Sequence, residues 1–282
     1  MGSIIAGIAT FFGFIIRIIY RLVNSNYFLS IILFTLLTKI ILFPLTLMQI
    51  KSTEKMQKIA PMDKKIREKY KNDKEKQTEE LTKLYSENKI NPAGGCLPLL
   101  IQIPIILGMF AIVRQPLTYI TQTPAEEIKT YTQEVLQKEE VSENEIRSNE
   151  LVVAKEKEII DMDVAFGINM GDVPANVFSK DENKKAAPIA LLIPILTVVF
   201  SFIQTKITQK NSTMSDEQKE MQKSMNFTMP LLSGFIAYSM PLALGIYWLF
   251  GNILQILQQL LISKFIKKGT QEETLALNKG GK

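Results

Sequence analysis

YFLSIILFTLLTKIILFPLTLMQI, residues 27 to 50, is the stretch on which the fold turns. Apart from Thr35, Thr38, Lys39, Thr46 and Gln49, the other 19 of its 24 positions are apolar or aromatic, or carry Ser30 or Pro44. At 1.5 Å per residue a helix of this length covers about 36 Å, enough for the ~30 Å hydrocarbon core of a bilayer. Its polar residues are too few for a surface helix, and no strict alternation suggests a strand, so the segment predicts a membrane span.

The same pattern repeats outward from it. Apolar residues make up 46% of the chain but collect in blocks with the charges between them, which a soluble core would not do. Cys96 to Val113, with Arg114 at its edge, is a second block, and Pro188 to Lys206 a third. Met225 to Ile266 is too long for one crossing, and Ser239-Met240-Pro241 reads as a tight turn within it. The expectation is an all-α polytopic membrane protein with five transmembrane helices, at about 27–50, 96–114, 188–206, 225–240 and 242–266. Residues 51–89 read as a helical hairpin turning at Lys71-Asn72-Asp73, with thin apolar stripes of Ile59, Ile66 and Tyr70, then Leu81 and Leu84. Residues 1–26 hold a short apolar run with Arg17 inside it, which predicts an amphipathic helix lying in the interface rather than a span. No cleaved signal is read there, because Arg17 and Arg21 come late in the apolar run instead of preceding it.

Loop charge orients the chain. Residues 51–89 carry 12 Lys and Arg against 8 Asp and Glu, and residues 264–282 carry 5 against 2. Residues 115–187 carry 8 against 15. Basic loops stay on the cytoplasmic side. The hairpin and the basic tail, 267–282, are therefore expected inside, the acidic loop, 115–187, outside, the N-terminus outside and the C-terminus inside.

There is no histidine and one cysteine, Cys96. Histidine-based acid–base catalysis, a serine triad, a His/Cys metal site and an internal disulfide are all excluded. No catalytic residue, metal or cofactor is expected. No acidic residue falls in any span, which disfavours ion-coupled transport. Lys39, thirteenth in the first span, is the conspicuous exception to apolarity. A lysine at the bilayer centre costs about 2.5–3.5 kcal/mol on insertion scales and faces protein or water unless it snorkels from a helix end. Thr35, Thr38, Lys39, Thr46 and Gln49 fall near one face. Thr197, Ser201, Gln204, Thr205 and Thr208 mark a second stripe, and Trp248, Asn252, Gln255 and Gln259 a third. Each alone fits interhelical hydrogen bonding. Together with one cation they predict a hydrated intramembrane cavity.

Three motifs make the sequence recognisable: Lys39-Ile40-Ile41-Leu42-Phe43-Pro44-Leu45; Asn91-Pro92-Ala93-Gly94-Gly95-Cys96-Leu97-Pro98 with Gln102-Ile103-Pro104; and Pro241-Leu242-Ala243-Leu244-Gly245-Ile246-Tyr247-Trp248 with Asn252. In this order, with the charged hairpin between the first two, the chain resembles the YidC family of membrane protein insertases over roughly residues 20–266. It is similar to the bacterial, Gram-positive type, and the mitochondrial oxidase-assembly and chloroplast Albino insertases are related. The resemblance implies a positively charged hydrophilic groove open to the cytoplasm and to lipid. The groove would be lined by Lys39, Thr35, Thr38, Thr46, Gln49, Gln102, Ser201, Gln204, Thr205, Trp248, Asn252 and Gln255. It implies nascent membrane proteins, membrane lipids, the ribosome and the Sec translocon as partners, action as a monomer, and a bacterial cytoplasmic membrane as location. Three features depart from the family pattern. Lys39 stands where many members have Arg, the acidic loop is long, and no lipoprotein-type signal is present. The alternatives are a small channel or solute transporter using the same cavity, and a purely structural assembly chaperone.

Overall fold

The computed structural model describes residues 3–90, 97–164, 167–180, 186–209 and 216–279. The motif residues 91–96, Cys96 among them, and the tail residues 280–282 lie outside the described residues. The chain is helical almost throughout. Among the described residues ten α-helices succeed one another: α1 Ser3–Leu22, α2 Tyr27–Ile41, α3 Phe43–Lys69, α4 Lys74–Glu87, α5 Leu97–Arg114, α6 Ala125–Leu136, α7 Glu143–Glu156, α8 Leu192–Gln209, α9 Asp216–Ser239 and α10 Leu242–Lys279. A π-helical turn, Leu117–Thr121, comes after α5, and two-residue strands β1 (Asp163–Val164) and β2 (Ile168–Asn169) pair antiparallel after α7.

Among the described residues three helices are long and apolar enough to cross a membrane: Ile5–Leu22, Pro188–Thr208 and Leu242–Lys264. A fourth candidate is the pair α2 and α3, bent by 56° where they join. The first expected span, 27–50, is thus one continuous apolar stretch in sequence but two helices in structure. Pro44 is the cause. It has no N–H for the carbonyl of Ile40 and its ring crowds the preceding turn, so α2 stops at Ile41 and α3 starts with proline near its N-terminus. α9 is not among the candidate spans: its N-terminal half, Asp216 to Thr228, is rich in charged and polar residues, and only the stretch from Met229 on is mainly apolar. The break expected at Ser239-Met240-Pro241 lies between α9 and α10.

The chain divides into two compact units. The first comprises Met1–Thr38, Leu99–Phe200 and Pro230–Gly251. In it, α1 turns into α2 through Asn24 and Ser25, both left-handed at φ 54° and 61°, and Asn26 caps α2 by accepting from the Leu29 N–H at 2.8 Å. α1 buries Ala9, Gly13, Ile16 and Tyr20 along one edge. Two glycines permit this approach: a Cβ on Gly13 would meet the Tyr119 Cβ at 3.0 Å, and one on Gly108 would meet the Phe12 ring at 2.8 Å. The outer side of α1 carries exposed Phe11, Phe14, Ile18 and Leu22. The helix expected to lie in the interface is therefore also long and apolar enough to span.

The acidic segment of this unit folds as a helical cap. α6 packs on α7, Ser142 and Glu145 form a capping box at the start of α7, and Lys155 pairs with buried Asp172 at 2.7 Å. The carbonyls of Asp172 and Met170 accept from the N–H groups of Leu242 and Ala243 at 2.8 and 2.9 Å, satisfying donors at the first turn of α10 that would otherwise be orphaned.

The second unit comprises Lys39–Pro98, Ser201–Met229 and Asn252–Lys282. Its α3–α4 hairpin turns through residues 70–73, and Asp73 caps α4 by accepting from the Lys76 N–H at 3.0 Å. A small cluster of Ile59, Leu84 and Ile90, flanked by Met56, Ile66 and Tyr85, holds the two helices together. Buried Asp63 receives Arg67 Nε at 2.6 Å and the Tyr85 hydroxyl.

Candidate functional site

The termination of α2 creates the site. The last four carbonyls of a helix have no partner within it, and Pro44 prevents the next helix from supplying one to the carbonyl of Ile40. At the carbonyl of Lys39 the partner is a side chain from another helix: Gln258 Nε2 of α10 donates to it at 3.0 Å. One turn earlier on α10, Gln255 Oε1 accepts from Lys39 Nζ at 2.9 Å. Two glutamines on one face of α10 thus hold the backbone and the ammonium of the same residue. Asn252, a further turn back and buried, donates through Nδ2 to the Ser201 hydroxyl of α8 at 2.8 Å. These contacts join α2, α8 and α10 within the second unit.

Lys39 is of intermediate exposure as a residue and makes no ion pair among the described residues. An ammonium offers three N–H groups, and one of them is committed, to a neutral amide. The Gln258 Oε1 is buried with no hydrogen-bond partner among the described residues. The constellation of Lys39, Ser201, Asn252, Gln255 and Gln258 therefore holds a cation with donors to spare and a buried acceptor without a donor, and none of its members is a carboxylate.

Of the residues expected in the groove, Lys39, Thr46, Gln49, Ser201, Gln204, Thr205, Asn252 and Gln255 lie in this unit, whereas Thr35, Thr38, Gln102 and Trp248 lie in the first. The structure connects Lys39 with Gln255 and Ser201 with Asn252. Gln102 instead donates to the Tyr247 hydroxyl at 3.1 Å, and Trp248 is half-buried. The threonines spend their hydroxyls on their own helices: Thr35 on the Ile31 carbonyl, Thr38 on Thr35, Thr46 on Leu42 and Thr205 on Ser201, at 2.7, 2.7, 3.1 and 2.8 Å. That back-bonding satisfies the hydroxyl hydrogens without water.

Gln258 is the residue sequence reasoning missed. The stripe of Trp248, Asn252, Gln255 and Gln259 takes a four-residue step beyond Gln255, but a three-residue step gives an equally good neighbour. The readable signal is Pro44, which announces carbonyls at the end of α2 that need an outside donor. A second missed residue lies in the acidic cap. Glu150 of α7, 1% exposed, accepts from the Thr118 N–H at 2.6 Å and pairs with the Thr118 hydroxyl at 2.9 Å. Burial, opposed by the hydrogen bonds from Thr118 and Leu117, raises its pKa to about 7.

The family model of the 60Kd inner membrane protein matches residues 18–270. The chain belongs to this family. Among curated relatives it is 30% identical to a protein of Oceanobacillus iheyensis named membrane protein insertase YidC, over 86% of this chain and 76% of that protein. It is 29% identical to the like-named protein of Fusobacterium nucleatum, over 85% of this chain and 87% of that one. The like-named protein of Chlamydia trachomatis is 28% identical over 94% of this chain, which spans only 29% of that relative's length. Membership in the 60Kd inner membrane protein family, three apolar helices and one bent pair make this an all-α, multi-pass membrane protein.

Proposed function

We propose that this chain is a membrane protein insertase that passes the polar tail of a substrate through a cation-containing groove while the substrate's apolar segment enters lipid. The arrangement around Lys39 carries the proposal: a cation near the end of an apolar helix, held by Gln255 and Gln258, with no carboxylate paired to it among the described residues. Each unpaired polar group moved into hydrocarbon costs several kcal/mol, and a cation with unfilled donors lowers that cost for an acidic tail without any covalent step. Lys39 offers a point charge rather than the bidentate fork of arginine, so the attraction is less dependent on the orientation of the carboxylate. The names of the relatives support the same reading.

On this reading five spans, about 27–50, 96–114, 188–206, 225–240 and 242–266, surround the groove in a bacterial cytoplasmic membrane. The N-terminus and the acidic cap lie outside, and the hairpin and tail inside. Nascent membrane proteins, membrane lipids, the ribosome and the Sec translocon are the partners, and one copy suffices.

The test is insertion of a single-span substrate with a short acidic tail into vesicles containing only this protein. Lys39→Arg inserts it, whereas Lys39→Glu loses about tenfold or more, equivalent to only ~1.4 kcal/mol. Normal insertion by both Lys39→Ala and Lys39→Glu sinks the groove-cation mechanism, and ion flux without insertion identifies a channel instead.

A further inference from the structure

The exposed face of α3 carries a stripe that the groove does not use. Met48, Lys51, Lys55, Lys58, Met62, Lys65 and Lys69 succeed one another at alternating steps of three and four residues, which places them along one side of the helix. All seven are exposed. From Lys51 to Lys69 the stripe is about 27 Å long. None of its five lysines forms an ion pair among the described residues, whereas the neighbouring charges of α3 are spoken for: Arg67 by Asp63 and Lys64 by Glu68. Glu54 and Glu68 only flank it. The other helix of the hairpin has the opposite balance, with Glu75, Glu79, Glu80 and Glu87 against Lys74, Lys76 and Lys83.

We propose that this face of α3 docks on anionic phospholipid headgroups, so that the hairpin lies along the leaflet from which α3 emerges. Charge complementarity selects a phosphate-bearing surface. Three features select a lipid surface over nucleic acid. Met48 and Met62 stand in the stripe, 67% and 46% exposed, and an interfacial helix sinks such side chains between headgroups while its lysines reach back to the phosphates. The stripe contains no arginine and no aromatic residue on which bases could stack. It is also continuous, one four-residue step before Met48, with exposed Pro44 at the start of the same helix, directly after apolar α2. The proposal is independent of what Lys39 does.

The experiment uses the full chain in a Cys96→Ser background, spin-labelled at Met62→Cys or, as a control on α4, at Thr78→Cys. Each is reconstituted in phosphatidylcholine alone and in phosphatidylcholine mixed with phosphatidylglycerol, and collision of the label with a water-soluble relaxant is measured. Anionic lipid lowers the collision rate at position 62 about threefold and leaves position 78 unchanged. About 1 M salt, where the screening length is ~3 Å, restores it. Replacing Lys51, Lys55, Lys58, Lys65 and Lys69 together by Gln abolishes the lipid effect. The salt response of the unsubstituted stripe gives the same answer should that variant fail to fold. Equal accessibility at position 62 in both lipids overturns the proposal, as does protection that appears only on adding RNA.

Discussion

Glu150 and Lys39 are two buried or half-buried charges, one in each unit, with opposite surroundings. Glu150 is sealed, with Thr118 supplying a backbone and a hydroxyl partner and the Leu117 backbone adding to them. Lys39 is partly open, with its ammonium on one amide and donors left over. A sealed charge without a counter-ion is relieved by changing its protonation state, so it serves as a lock between α7 and the π-helical turn. A half-open charge with unused donors is relieved by a visitor. Burial alone does not separate these roles; the count of unfilled partners does.

The sharpest way to break the comparison is to close the open site. Gln255→Glu gives Lys39 a resident carboxylate at the position of the present amide. Insertion of acidic-tailed substrates is expected to fall about tenfold, as with removal of the cation, while thermal unfolding of the solubilised protein is not lowered. Faster insertion by Gln255→Glu contradicts a receptive cation.

The lock responds to pH. The pKa of Glu150 in the folded cap, about 7, stands above the ordinary carboxylate value of 4.5. Its contribution is therefore complete below about 4.5 and is lost as pH rises through about 7, by up to ~3 kcal/mol in total. Hydrogen exchange of residues 143–156, corrected for intrinsic rate, should report faster opening above neutral pH. Glu150→Gln keeps both contacts with Thr118 and should flatten that profile, and an unchanged profile refutes the assignment.

Smaller effects sharpen the contrast. Gln258→Ala leaves the Lys39 carbonyl without its donor, at about 1–2 kcal/mol, and should loosen the α2–α3 junction in hydrogen exchange while insertion falls only severalfold. Thr35→Val and Thr205→Val should shift thermal stability by less than about 0.5 kcal/mol, because each hydroxyl answers only to its own helix. A large loss at either would mean that the hydroxyl faces water or substrate.

Much of this architecture is legible in the sequence. The turn of the hairpin is written in Lys71-Asn72-Asp73, because an Asp before a helical run is a ready cap, and the α9–α10 break in Met240-Pro241. Lys39 stands out because a charge inside an apolar run is costly wherever it lies. The bend at Leu42 is half legible: Pro44 is visible, but proline near the first turn of a new helix and proline kinking one long helix share the same sequence. Gln258 and Glu150 are not legible. One is a polar residue among several on α10, and the other is one of 15 acids in the segment 115–187.

The sequence by itself determined everything that local and one-dimensional physics dictates: apolar lengths that match a bilayer, turns, caps, the charge contrast between loops, and the presence of a misplaced cation. Only the tertiary structure decided which polar groups satisfy one another. Gln258 meets the carbonyl of Lys39 across 219 positions of chain, and Thr118 meets Glu150 across 32. A hydrogen bond is satisfied at about 3 Å or not at all, and no periodicity along a helix specifies which atom of another helix arrives at that distance.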